Sequence, residues 1–260
     1  MTTSGLIVMA SHPDLAGKTA VVTGGSRGIG AATAIALARN GVAVTVVGRD
    51  RSALDGVATA ITDSGGQALA AVADCTSKAD LDRVHAQVLD RFGGVDIVIA
   101  FAGGYGQPVP SAAETAEHWR QVVDSDLTAT FLTISTFLPE LTASRGTVVT
   151  MASSAGRQAS RAAAAYAAAK AGVVGMSRHL ANELAPLGIR VNCIAPATIE
   201  NERLRRVMSD EQRDQLARTY PLARLGTPED IAAATLFLAS SASAWITGIT
   251  LDITGGSVMP

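Results

Sequence analysis

The run Thr19-Ala-Val-Val-Thr23, followed at once by Gly24-Gly25-Ser26-Arg27-Gly28-Ile29-Gly30 and then by the alanine-rich Ala31–Asn40, limits the possible folds more than any other stretch. Five consecutive uncharged residues fit a strand buried on both faces. The segment behind them reads as a helix closed by Gly41, and the glycines between give a tight strand-to-helix turn. The alternation repeats, with Val42–Val47 as a strand, Ser52–Ser64 as a helix before Gly65-Gly66, Ala68–Ala73 as a strand, a helix around Lys78–Arg91 and a strand at Val95–Ala100. Beyond a Gly/Pro loop at Gly103–Pro110, a helix runs through Trp119 to Leu141, with Pro139 as a break near its end. A fifth strand at Thr147–Met151, a long helix ending near Pro186-Leu-Gly188 and a sixth strand at Arg190–Ala195 complete the pattern. Continuous apolar strands separated by helices make a parallel sheet covered on both faces, a doubly wound α/β domain.

Bulk properties narrow the function classes. At 260 residues and 48% hydrophobic, with no linker-like composition, the chain reads as one large domain, residues 14–260, behind a loose leader, residues 1–13. The leader carries no Lys or Arg, and its apolar run Leu6–Ala10 is too short for a signal-peptide core. No stretch reaches the roughly 20 apolar residues of a membrane span, so no membrane partner is expected. A net charge of −2 gives a polyanion nothing to bind, which disfavours nucleic acid. The two cysteines, Cys75 and Cys193, are far apart in apolar contexts and read as reduced, buried thiols of a cytoplasmic protein. His12, His85, His118 and His179 are scattered, without metal-like spacing or a recognisable carboxylate partner, and no metal site is expected.

Chemistry concentrates between Ser153 and Lys170. Tyr166 and Lys170 are four apart in a helix, so they share one face about one turn apart. A phenol with an ordinary pKa of about 10 is a poor acid or base near neutrality, and a neighbouring ammonium favours its anion. Ser153, thirteen residues before Tyr166 at the end of a strand, carries a hydroxyl suited to the same substrate oxygen. Ligands of doubly wound sheets sit at the carboxyl ends of the strands. Thr23, Ala102-Gly103, Ser153 and Pro196 all follow strand ends and should converge on one edge.

The glycines at 24, 28 and 30 allow close approach of a pyrophosphate to a helix N-terminus. An acid about 20 residues on would normally accept the ribose hydroxyls of NAD. Gly48 stands there instead, with Arg49 next and Arg27 in the turn. Two guanidiniums suit the 2′-phosphate of NADP(H), the expected cofactor, against a reading as two solvated arginines. Asp50 is the residue that would favour NAD(H). Asp74, after the third strand, reads either as an acceptor for the adenine amino group or as a cap.

Together, Thr23-Gly24-Gly25-Ser26-Arg27-Gly28-Ile29-Gly30, Asp74, Ser153, Tyr166-Ala-Ala-Ala-Lys170 and Arg190-Val-Asn192 make residues 15–256 resemble the short-chain dehydrogenase/reductase family. The resemblance implies a single Rossmann-type doubly wound domain with a seven-stranded parallel sheet flanked by helices, Leu251–Gly256 forming the last strand and closing turn, and a substrate lid at about 197–226. It implies that Tyr166 protonates a carbonyl oxygen as hydride reaches the carbon, Ser153 orients that oxygen, and Lys170 both tunes Tyr166 and bonds the nicotinamide ribose. Cofactor contacts are implied for Gly24, Ser26, Arg27, Gly28, Ile29, Gly30, Arg49, Asp74, Cys75, Ala102, Gly103, Tyr166, Lys170, Pro196, Ala197 and Ile199. Within the family the chain looks most like NADPH-dependent ketoreductases, which act on carbonyl or alcohol substrates, acyl thioesters among them. Relatives are commonly homotetramers, or homodimers, packed through helices corresponding to Val122–Leu141 and Ala162–Ala185.

The family pattern is not met everywhere. The Asn-Asn-Ala-Gly after the fourth strand is Ala100-Phe101-Ala102-Gly103, which loses polar anchors. The helix Asn of the catalytic tetrad aligns with Asp126, which if ionised would pair with Lys170 and offset its effect on Tyr166. Pro196-Gly becomes Pro196-Ala197, and the threonine that meets the carboxamide aligns with Asn201, still a donor and acceptor. Arg203, Arg205 and Arg206 in the lid, and Arg157 and Arg161 before Tyr166, read either as solvated charges or as receivers of an anionic substrate or carrier. Tyr105 and Gln107 are candidates for the pocket wall. The second function class open to the chain is a dinucleotide-binding sensor or scaffold with little catalysis.

Overall fold

Short runs of β-branched residues and alanine form seven strands, β1 (Thr19–Thr23), β2 (Ala43–Gly48), β3 (Ala68–Val72), β4 (Ile97–Ala100), β5 (Thr147–Met151), β6 (Arg190–Pro196) and β7 (Thr250–Ile253). The structure is a computed structural model and describes residues 11–104 and 108–259. All strands pair in parallel in the order β3-β2-β1-β4-β5-β6-β7. Every residue of β1 and β4 is buried, as a sheet covered on both faces requires.

The helices are α1 (Gly28–Arg39), α2 (Arg51–Asp63), α3 (Lys78–Phe92), α4 (Ala116–Val123), α5 (Ala129–Thr136), α6 (Leu138–Ser144), α7 (Ala164–Leu184), α8 (Glu202–Val207), α9 (Asp210–Ala217) and α10 (Pro228–Ala239). Leu37, Leu54 and Ile61 from α1 and α2 pack with Ile231 and Leu236 of α10 on one face of the sheet. Leu81 and Val84 of α3, Ile134 of α5, Leu141 of α6 and Leu184 of α7 pack on the other, so the sheet is doubly wound.

Two differences from the sequence expectation bear on the site. The first helix begins at Gly28 rather than Ala31, because the glycine turn supplies its first turn. The long helix expected through Trp119 to Leu141 is broken twice. Asp124–Thr128 form a π turn between α4 and α5, and Phe137 leaves helical geometry at φ −100°, ψ 9° before α6. The second break is the one expected at Pro139, which sits in the first turn of the following α6, where its missing N–H costs nothing. At the N-terminus, the His12 amide donates to Asn40 Oδ1 at 2.8 Å and Leu15 is buried, so the chain is already docked two residues before the expected boundary.

The Arg190-Val-Asn192 motif is a clamp. Arg190 Nη1 donates to the Leu238 carbonyl and the Ser243 hydroxyl, each at 2.9 Å, and Nη2 to the Ser240 carbonyl at 3.2 Å. Asn192 Nδ2 donates to the Ile246 carbonyl at 2.9 Å. β6 is thereby tied to the end of α10 and the approach to β7. Hydrogen bonds from a charged group to partly buried carbonyls contribute about 1.5–3 kcal/mol. Arg190→Met should therefore lower unfolding free energy by about 2–3 kcal/mol, read as a reduced urea midpoint with an unchanged slope.

Candidate active site

Strand order reverses between β1 and β4, which opens a crevice at their carboxyl ends. Thr23 is in register with Ala100, Ala100 with Thr150, and Met151 with Ile194. The Gly24–Gly30 turn, Ala102-Gly103, Ser153 and Pro196-Ala197 consequently stand side by side on one edge.

The glycine turn fits a pyrophosphate. Asp50, Ser77 and Thr115 cap the first amides of α2, α3 and α4, whereas α1 has no side-chain cap and no acid in its first turn. Its first amides and its positive dipole end are open to an anion. A Cβ on Gly30 would stand 2.1 Å from the Gly24 carbonyl oxygen, so only glycine lets this turn close.

Around it, Arg27 ion-pairs with Asp50, whose other oxygen accepts the Ala53 amide at 3.1 Å and caps α2. Arg49 is exposed and forms no ion pair among the described residues. Asp74 uses one carboxylate oxygen, Oδ1, locally. It accepts the Thr76 amide at 2.9 Å and hydroxyl at 2.7 Å, and those bonds hold its carboxyl below the ordinary value. Cys75 is buried, and burial pushes its thiol up to about 12. Both cysteines are free thiols.

The polar anchors missing after β4 are replaced from β1. The buried Thr23 hydroxyl accepts the Phe101 amide at 3.1 Å and the Ala102 amide at 3.2 Å while donating to the Ile99 carbonyl at 3.4 Å. No sequence signal identified this threonine as an anchor.

Ser153 follows β5 and opens the short turn Ser154–Gly156. That turn packs tightly on α7, since a Cβ on Gly156 would lie 2.6 Å from the Lys170 carbonyl carbon. Ser153 Oγ accepts the Ala155 amide at 3.2 Å, which leaves its O–H to donate to a ligand oxygen. On α7, Tyr166 is half-buried and Lys170 is 3% exposed. Lys170 Nζ stands 5.6 Å from the Tyr166 ring centre and donates to the Met151 carbonyl at 3.0 Å. Asp126 Oδ1 lies 2.9 Å from the same ammonium, so the anticipated pair forms. Burial works against the charge on Asp126, but Lys170, the Gly104 amide and the Ser125 hydroxyl outweigh it and hold the carboxyl below its ordinary value. Burial also works against the Lys170 charge, yet Asp126, with Tyr166, holds the ammonium above its ordinary value. The cluster places a hydrogen-bond donor, a phenol and a fixed cation on one edge.

Several expectations need correction. Arg157 is exposed but is not a free charge, because its guanidinium binds Asp252 of β7, with both Nε–Oδ1 and Nη2–Oδ2 at 3.0 Å. Asn201 makes two local bonds, its Oδ1 capping α8 at the Leu204 amide (2.8 Å) and its Nδ2 donating to the Ile199 carbonyl (3.0 Å), which leave one N–H and one lone pair of the amide. Three of the four histidines face carboxylates. His118 pairs with Glu114, His179 lies 3.4 Å from Glu183, and His85 lies 2.9 Å from Glu140 without hydrogen-bond alignment. In the lid region Arg205 pairs with Glu200, while Arg203 and Arg206 are exposed. Tyr220, not singled out in the sequence, donates its O–H to Thr198 Oγ at 2.8 Å and so ties the segment after β6 to the end of the lid. Tyr105 and Gln107 lie outside the described residues. A cleft of about 480 Å³, lined by Pro108, Val109, Ser111, Gln158, Arg161 and Ala164, flanks the cluster without including Ser153, Tyr166 or Lys170.

Among known proteins, a family model described as enoyl-(acyl carrier protein) reductase matches residues 24–257. The chain is 37% identical to the 3-oxoacyl-[acyl-carrier-protein] reductase FabG of Chlamydia muridarum, over 93% of this chain and 98% of that protein. It is 36% identical to the reductase of the same name from Vibrio cholerae, over 95% and 99%. The crystal structure of a short-chain type dehydrogenase/reductase from Mycobacterium marinum superposes with a TM-score of 0.88 at 33% identity, covering 95% of this chain and 98% of that one.

The ion pair gives stability a defined pH window. Asp126 is held below its ordinary 3.8, so its contribution is present above that value and is lost as pH falls through the lower folded-state value. Lys170 is held above its ordinary 10.5, so its contribution is full below that value and is lost as pH rises through the higher folded-state value. The stability difference between the wild type and an Asp126→Asn/Lys170→Met double variant should be flat across the neutral range and change only at these acid and alkaline extremes. Urea unfolding against pH measures it, and a slope near neutrality would contradict the assignment.

Proposed function

The chain belongs to the short-chain dehydrogenase/reductase family, and from that premise we propose that it is an NADPH-dependent ketoreductase with Tyr166 as general acid. As a member it is an oxidoreductase that uses a nicotinamide dinucleotide on C=O and CH–OH groups. The proposed substrate is a ketone, with a β-ketoacyl thioester as the leading case because relatives carry the name 3-oxoacyl-[acyl-carrier-protein] reductase. The observation that carries the reading is the Lys170 ammonium, buried, ion-paired and 5.6 Å from the Tyr166 ring centre.

The Gly24, Ser26, Arg27, Gly28, Ile29 and Gly30 turn would hold the pyrophosphate, with Ala102-Gly103 and the Pro196, Ala197 and Ile199 backbone flanking the rest of the dinucleotide. When bound, the cofactor supplies hydride to the carbonyl carbon. As the oxygen gains negative charge, Tyr166 transfers its phenolic proton to it, and the Lys170 cation stabilises the phenolate left behind. Ser153 donates a hydrogen bond to the same oxygen, which its Ala155 contact leaves it free to do. Lys170 uses two of its three donors on Asp126 and Met151, so one remains for the nicotinamide ribose.

For the phosphate, Arg49 has no competing ion pair among the described residues, and the exposed Arg27–Asp50 pair is of the kind worth about 0–1 kcal/mol, which a dianionic phosphate can displace. Asp50 has one oxygen in use as the α2 cap, at the Ala53 amide. Assembly as a homotetramer or homodimer is part of the same proposal, and Trp119 on α4 and Phe131 on α5, 41% and 48% exposed, supply apolar surface for it. The sensor or scaffold alternative, motivated by Asp126, the lost Asn pair and Ala197, has nothing in its favour, since Asp126 keeps Lys170 in place and Thr23 anchors the loop after β4.

Tyr166→Phe should lower turnover of acetoacetyl-coenzyme A with NADPH by about 10²–10⁴-fold, and undiminished turnover would defeat the mechanism. Arg49→Ala should weaken NADPH binding about tenfold and leave NADH nearly unaffected. Calorimetric titration reads both, and tighter binding of NADH than NADPH by the wild type would reverse the cofactor assignment.

A further inference from the structure

The Asp126 carboxylate touches two parts of the site at once. Its Oδ1 accepts the Gly104 amide at 2.8 Å and meets Lys170 Nζ at 2.9 Å, while Oδ2 accepts the Ser125 hydroxyl at 2.8 Å. The backbone is shaped to this oxygen. Gly103 has φ +130°, and a Cβ there would stand 2.6 Å from Asp126 Oδ1. The π turn that carries Asp126 is braced by the Thr130 hydroxyl, which donates to the Asp126 carbonyl at 3.1 Å.

We propose that Asp126 is a positioning residue that joins the loop after β4 to the proton-donating pair, holding the Gly104 amide and the Lys170 ammonium on one oxygen and offsetting the Lys170 charge felt by Tyr166. The proposal rests on the reading of Tyr166 as the proton donor.

Among the described residues, the charges around the pair leave Asp126 as the effective counterweight. β5 offers Lys170 only the Met151 carbonyl. β6 offers Cys193, whose thiol burial pushes up and keeps neutral. On α4, Glu117 and Arg120 lie on the exposed side, and His118 is paired with Glu114. Asp124 is exposed and accepts from Thr128, and Arg157 is bound to Asp252. A cation beside a phenol favours the phenolate, and an anion on the far side of that cation diminishes the preference. An amide at position 126 would accept Gly104 equally well but would carry no charge. Position and charge can therefore be separated by substitution.

Asp126→Asn should keep the Gly104 amide protected in hydrogen exchange followed by NMR, whereas Asp126→Ala should lose that protection. With NADPH and acetoacetyl-coenzyme A, the alkaline limb of reduction should fall about one pH unit lower in Asp126→Asn than in the wild type. The position of the limb, not its height, is the readout, because a merely structural lesion lowers the rate without moving it. Ultraviolet titration of tyrosinate in the cofactor-free protein, assigned with Tyr166→Phe, should move in the same direction. That arm needs no turnover, so it tests the charge offset even if the ketoreductase reading fails. Coincident tyrosinate titrations in wild type and Asp126→Asn would overturn the proposal, and so would Gly104 exchange in Asp126→Ala equal to wild type. If Asp126→Asn does not fold, Asp126→Ser, also uncharged and bearing an oxygen, is measured against the same criteria.

Discussion

A buried ammonium is the most demanding group in this molecule. Taking a lysine out of water costs several kcal/mol unless an opposite charge and hydrogen-bond acceptors meet it in good geometry. Lys170 is 3% exposed and finds Asp126 and the Met151 carbonyl. Much of the local backbone follows from that requirement. A π turn, with poorer hydrogen-bond geometry than an α-helix, brings Asp126 inward. Gly103 leaves room for the carboxylate, and Gly156 lets the Ser153 turn lie against the backbone of Lys170 itself.

The rest of the edge is held by polar ties between strands rather than by the loops themselves. Thr23 anchors the exit of β4, Arg157 ties the turn after Ser153 to Asp252 of β7, and Gln158 donates to the Ser257 carbonyl at 3.4 Å. Arg190 secures the β6 side from below. Groups that must act on one oxygen atom need to be fixed to within a fraction of an ångström, which rigid strands and such ties supply. The segment after β6 is held differently, through Tyr220 and Thr198 and the bridge between Ile199 and Gly226.

Local periodicity made the strands and most helices legible, because β1, β4 and β5 are apolar on both faces and no other element type explains such short runs between glycines. Tyr166 and Lys170 were legible because helical spacing fixes their common face. What escaped is tertiary. The Arg157–Asp252 pair spans 95 residues of sequence, and a threonine such as Thr23 looks like any strand residue until its neighbours are known. The π turn inside the 119–141 helix is a hydrogen-bond slip that sets Asp126 against Lys170, which no local pattern announces, whereas the break beside Pro139 was legible. Two misses were avoidable. Glu114/His118 and His179/Glu183 have the four-residue spacing of helix pairs, and Asn201 before Glu202-Arg203-Leu204 carries the signature of an N-cap.

Asp126 exerts two effects on Lys170 that pull Tyr166 in opposite directions. By pairing, it guarantees that the lysine is charged, and a charged lysine favours the phenolate. By its own charge, it offsets the field that the ammonium projects across the 5.6 Å to the Tyr166 ring. The first effect is complete in the wild type, where the ammonium is held above its ordinary value, and in Asp126→Asn the Met151 carbonyl and the amide oxygen remain as acceptors for it. The second persists at every pH at which the carboxylate is ionised, and with Asp126 held below its ordinary value that covers the whole neutral range. The balance therefore falls on the side of offset. The site keeps a permanent cation beside its phenol and gives up part of that cation's influence in return for a fixed loop.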